Sequence, residues 1–137
     1  MDQASFFKQA ELFLSKLDDE LLASGLPIKD SWDCDHICYR VADFDTYEQR
    51  KSFLSEIASL LIESPVGGRL IATYELKSPI RWGDRDIYLI ELPQPKEGRS
   101  EEEGFEHVEF VIDQDFSSLM NLNPNLSWKT KGMVKDY

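Results

Sequence analysis

Two alternating segments, Cys34-Asp-His-Ile-Cys-Tyr-Arg-Val41 and Phe105-Glu-His-Val-Glu-Phe-Val-Ile112, constrain this chain more than anything else in it. Alternation marks a half-buried strand, because successive side chains leave opposite faces. In the first segment Ile37, Tyr39 and Val41 share one face, and Cys34, His36, Cys38 and Arg40 share the other. In the second, Val108, Phe110 and Ile112 stand opposite His107, Glu109 and Val111. The chain has only two histidines. Each opens one of these strands, on the side away from the large apolar residues.

A helical pattern follows each strand. Thr46 to Leu61 carries a capping-box pair, Thr46 with Gln49, and an apolar stripe of Leu54, Ile57, Ala58 and Leu61. Phe116 to Leu122 reads as a shorter helix, with a strand expected at Leu126 to Thr130. Between the units lie turn residues, Pro65-Val-Gly-Gly68, and two extended segments, Arg69 to Lys77 and Asp86 to Leu92. Ser78-Pro79 and Gly83-Asp84 separate those segments, so an antiparallel pair is expected. In the later one Ile87, Leu89 and Glu91 point one way, and Tyr88, Ile90 and Leu92 the other. Ahead of everything is an amphipathic helix, about Ala4 to Ala23, ended by Gly25 and Pro27. The order reads helix, β-α-β-β-β, then β-α-β, an internal repeat in an α+β chain. One domain is expected over 1–137: an N-terminal helix in 1–30, a first unit in 33–93, a polar linker from Pro93 to Gly104, and a second unit in 104–137.

Composition narrows the partners. The 137 residues make an ordinary core affordable, burying roughly 68% of the unfolded surface. Fifteen basic against 26 acidic residues give −11, with no basic stripe, so neither nucleic acid nor an anionic membrane is an expected partner. The apolar run around Ala58 to Ile62 is too short to span a bilayer, and the start lacks a basic region before an apolar core. Cys34 and Cys38 on one strand lie about 13 Å apart, too far to pair, and free thiols fit a reducing, cytoplasmic setting.

Two imidazoles and the carboxylate of Glu91, on an otherwise apolar strand, are a set that Zn, Fe, Mn, Ni or Co accepts. The plainer reading is a hydrogen-bonded or surface histidine, with Glu91 solvated at a strand end. Glu109, two residues after His107 on the same face, fits three roles: ligand, general base, or orienter of an imidazole. Its plain alternative is a solvent-facing glutamate. Arg40 suits a bidentate grip on a substrate carboxylate, or a salt bridge with Asp or Glu. Cys34 and Cys38 read as small pocket-lining residues.

These residues resemble the YecM family, within the vicinal oxygen chelate superfamily of glyoxalases and extradiol dioxygenases. The resemblance is carried by Asp35-His36-Ile37 with Arg40, Gly68-Arg69 and its strand, Glu75-Leu76-Lys77-Ser-Pro79, Ile90-Glu91-Leu92-Pro93-Gln-Pro95 and Glu103-Gly-Phe-Glu-His-Val-Glu109. It spans about residues 33 to 113. The resemblance implies paired βαβββ modules cupping a cavity, with a divalent metal held by His36, Glu91 and His107. Asp33 to Pro93 is nearly twice as long as Gly104 to Tyr137, so the second module is expected to be incomplete.

Two functions follow. One is a metal-dependent isomerase or oxygenase of small molecules, the ion acting as Lewis acid, Glu109 moving a proton and Arg40 fixing a carboxylate. The other is a non-catalytic module that holds a small ligand or pairs sheet edges in a homodimer.

Overall fold

Asp2 sets the start of the first helix by accepting from the Ser5 N–H at 2.8 Å. Helix α1 then runs Gln3–Ser24, and Gly25, at φ 74, closes it in the left-handed conformation that suits glycine. The computed structural model describes residues 1–98 and 101–129. Within them follow β1 (Asp33–Arg40), α2 (Phe44–Ile57), β2 (Ala58–Val66), β3 (Arg69–Trp82), β4 (Arg85–Pro93), β5 (Gly104–Val111) and α3 (Phe116–Leu122). The architecture is α+β.

The strands form one five-stranded sheet in the order β2-β3-β4-β1-β5. β1 lies parallel to β4, while the pairs β2–β3, β3–β4 and β1–β5 are antiparallel. Gly67 and Gly68, both at positive φ, make the two-residue loop between Val66 and Arg69. Such a loop matches the right-handed twist of the strands it joins.

One core holds the sheet and both long helices together. Phe6 of α1 touches Phe53 of α2, Tyr39 of β1 and Phe105 of β5, at ring centroid separations of 5.4, 6.1 and 5.2 Å. Ala10 and Leu14 continue that buried stripe at helical spacing. Each large apolar side chain buried this way contributes roughly 1.5–3 kcal/mol. No helix among the described residues is long and apolar enough to cross a membrane.

Several expectations need correction. The second helix stops at Ile57, and Ala58 is already extended at φ −152. Ala58, Ser59 and Leu60 pair with Leu76, Glu75 and Tyr74, so cross-strand hydrogen bonds overrule the fortuitous stripe through Leu61. The cap of α2 is Asp43, whose carboxylate accepts from the Thr46 N–H at 2.7 Å; Thr46 is inside the helix. β3 continues past Ser78-Pro79 to Trp82, with the proline accommodated in a register irregularity between Glu75 and Ile80. Across that irregularity β4 changes parity, and Ile87 joins Ile90 and Leu92 in the core instead of sharing the face of Glu91. Residues 126–129 form no strand, and Thr130 lies outside the described residues.

Candidate metal centre

β1 sits between β4 and β5, so side chains from three strands meet on the face away from the helices. His36 is 6% exposed, the buried polar side chain among an otherwise apolar set. Its Nδ1 lies 3.0 Å from an Asp35 carboxylate oxygen. Its Nε2 lies 3.2 Å from Glu91 Oε2 and 3.0 Å from Glu109 Oε2. Register explains this. His36 is paired with Glu109 on one side, and Glu91 lies one rung along on the other, opposite Cys38. Nε2 carries at most one proton, so a hydrogen bond satisfies only one of the two carboxylates facing it.

A second group forms one rung further along. Cys38 pairs with His107, but Tyr39 pairs with Phe105, which leaves Glu106 as an extra residue in β5. This β-bulge re-aims a side chain, as bulges do. Glu106 Oε2 lies 3.2 Å from His107 Nδ1 and accepts from the Cys38 thiol at 3.7 Å. The ligand atoms of Cys38, Glu106 and His107 all lie within 4.8 Å of one another. Donors on one tetrahedral ion stand about 3.4–3.6 Å apart, given bonds of roughly 2.0–2.3 Å, so the group needs only a small contraction. The rings of His36 and His107 are 6.4 Å apart, centre to centre.

The electrostatics are acidic. Cys38 is 2% exposed, and burial, then the Glu106 and Glu91 carboxylates, push its thiol up to about 12. An ion bound there has to displace that proton. Arg40 is engaged: its Nη1 lies 3.0 Å from Glu101 and 3.5 Å from Glu106, and its Nε donates to the Glu102 carbonyl. Of its two sequence readings, the salt bridge to acidic neighbours is the arrangement seen.

The structure therefore divides the expected ligands. His36 goes with Glu91 and Glu109, and His107 goes with Cys38 and Glu106. Cys34, expected beside His36, is instead in the core with Ile37 and Tyr39, because β1 shifts register between Cys34 and His36. Its thiol is raised to about 11, chiefly by burial. Glu106 escaped the sequence reading because a bulge leaves no pattern in composition. Cys38 reads from sequence as a pocket-lining residue on the face of His36, and the structure adds Glu106 and His107 as its neighbours.

The family model for the YecM protein matches residues 2–136. This chain belongs to the YecM family. It is 32% identical to protein YecM of Escherichia coli (strain K12) over 107 residues, 78% of this chain and 56% of that protein. It is 31% identical to an uncharacterized protein of Haemophilus influenzae (strain ATCC 51907 / DSM 11121 / KW20 / Rd) over 81 residues, 59% of this chain and 42% of that one. A solved structure described as "Structural Genomics, Protein EC4020" superposes with a TM-score of 0.73 at 29% identity, covering 84% of this chain and 62% of that chain. The YecM-family chain thus spans about half the length of the curated relatives it matches.

Proposed function

We propose that this chain binds a divalent metal ion on the face of its sheet away from α1 and α2, with His107, Cys38 and Glu106 as ligands. The convergence of those three donor atoms within 4.8 Å supports it. One thiol, one imidazole and one carboxylate suit Zn, Co, Ni or Fe, with a position left open for a small molecule. A bound ion supplies Lewis acidity toward a ligand carrying two neighbouring oxygens, the chemistry of isomerases and oxygenases. The chain's own residues supply proton handling. Glu109 reaches His36 Nε2 from an exposed position, and Asp35 fixes the other ring nitrogen, so a proton can pass between Glu109 and a buried imidazole held in one orientation.

A second reading keeps His107 but completes the set with His36 and Glu91. The resemblance to the vicinal oxygen chelate superfamily favours it, as does the excess of carboxylates at His36 Nε2. The order β1, α2, β2, β3, β4, with β1 returning beside β4, supports reading Asp33 to Pro93 as one βαβββ module.

Cobalt titration tests the proposal. The wild-type protein should take up Co(II) with a thiolate charge-transfer band, which Cys38→Ser and His107→Ala abolish and His36→Ala leaves in place. Uptake without that band, lost in His36→Ala and His107→Ala alone, would transfer the site to the second reading. Less than about a tenth of an equivalent bound at neutral pH would end both. A stable dimer whose melting temperature ignores chelators and added ions would then favour a non-catalytic interaction module.

A further inference from the structure

A cavity lies beside the candidate metal face, and none of the donors discussed above lines it. It has a volume of about 610 Å³ and opens between the Gly67-Gly68 hairpin, the start of α2 and the segment after β4. Two cations line it, Arg69 and Lys96, with one carboxylate, Glu97, and the ring of Phe44. Lys8 and Lys29 have carboxylates within 4.0 Å. Carboxylates also pair with Arg40, Arg50, Lys51 and Arg81, but among the described residues none lies within 4.0 Å of Arg69 or Lys96.

Arg69 is also held in place. Gln94 extends the sheet by one rung: its N–H donates to the Leu70 carbonyl at 2.8 Å, and its side-chain oxygen accepts from the Leu70 N–H at 2.9 Å. The Gln94 carbonyl, fixed by that rung, accepts from Arg69 Nη1 at 3.0 Å. One corner of the guanidinium is thereby anchored, and among the described residues its other donors have no hydrogen-bond partner, so less rotamer freedom is left to lose on binding. Phe44, 55% exposed, lines the same cavity and offers it an apolar ring. Gly67 and Gly68 carry no side chain into the space, and a Cβ on either would meet nothing within 4 Å.

We propose that this cavity binds a small organic anion, a carboxylate or phosphate monoester on a flat apolar body, with Arg69 and Lys96 taking the charged end and Phe44 the body. The net charge of −11 opposes anions at long range. At physiological salt, however, screening acts over about 8 Å, so the local cation pair decides. Arg69 links this cavity to the metal face, since it also lines the cleft containing Arg40 and Glu106. It is also near enough to Cys38 for its charge to act on the thiol. As a statement of substrate class the inference rests on the metal reading; as a binding site it stands apart from it.

The test separates the two. Benzoate, phenyl phosphate and inorganic phosphate are titrated calorimetrically into the protein in EDTA. Saturable binding of the two aromatic anions is expected, weakened at least about tenfold by Arg69→Gln, since a charge-assisted contact is removed. Lys96→Gln should also weaken it, and Glu97→Gln should tighten it. Lys96 is exposed, so its variant decides the matter even where Arg69→Gln unsettles the hairpin. Binding that ignores both substitutions, or no saturable binding tighter than about 1 mM, would overturn the proposal. Inorganic phosphate binding as tightly as phenyl phosphate would remove Phe44 from it. Adding the divalent ion afterwards tests the link: tighter anion binding supports a shared substrate site, and unchanged binding leaves an anion site with no tie to the metal.

Discussion

At the scale of single residues, the site depends on groups kept in costly surroundings. Cys38 and Cys34 are buried thiols whose ionisation is opposed, with values raised to about 12 and about 11 from an ordinary 9.0. In each case the native state favours the neutral thiol, so stability is intact below pH 9 and falls as the unfolded chain begins to lose protons that the native chain retains. A denaturant midpoint followed from pH 8 to 11 should therefore decline, and Cys38→Ala should make the decline shallower. An equally steep loss in that variant would show that other groups carry the alkaline limit. Phe6 is the residue-scale test of the core. It is 1% exposed and in contact with four other rings, so Phe6→Ala should cost about 3–5 kcal/mol in chemical denaturation. A loss under about 1 kcal/mol would mean that α1 is not part of the cooperative core.

At the scale of elements, the bulge in β5 decides which donors meet. Phe105 and Val108 both face the core, which an unbroken alternation cannot give, and Glu106 is the extra residue that reconciles them. Deleting Glu106 would leave Phe105, His107 and Val108 on their present faces in a regular strand. The deletion variant should keep its circular dichroism and most of its melting temperature while losing the Co(II) thiolate band. Wholesale unfolding on deletion would show that the bulge is needed for stability rather than for the site. The same feature explains what the sequence revealed. His36, Glu91, His107 and Glu109 were legible on one face because strand alternation is a regular signal. The partnership of Cys38 with Glu106 was not, because a one-residue insertion in a ladder looks like ordinary sequence. Likewise Ala58 and Leu61 continue the helical stripe of Leu54 and Ile57, and only pairing with β3 shows the segment to be a strand.

At the scale of the whole molecule, the edges and the charge matter most. β2 is an edge strand that leaves Leu60, Leu61, Ile62 and Val66 exposed. Glu63 is the strand's one charge and is tied to Lys51, and Pro65 blunts its far end, so the Leu60-Leu61-Ile62 stretch is the part open to pairing with another chain. Sedimentation velocity should show concentration-dependent association that Leu61→Lys reduces, with the fold unchanged. Association that persists in that variant would place the contact elsewhere, with the outer edge of β5 next in line. The net charge of −11 opposes such association at low salt, so it should strengthen as salt is added.

The parallel pairing of β1 with β4 has a consequence for the order of assembly. His36 is made early, yet its neighbour Glu91 comes only after α2 and two hairpins, and His107 and Glu109 later still. Contacts so distant along the chain are slow to close. The donors therefore reach one another only when the sheet is nearly finished. On the proposed reading, an ion would find no complete set of ligands until β5 has paired with β1, and would bind last.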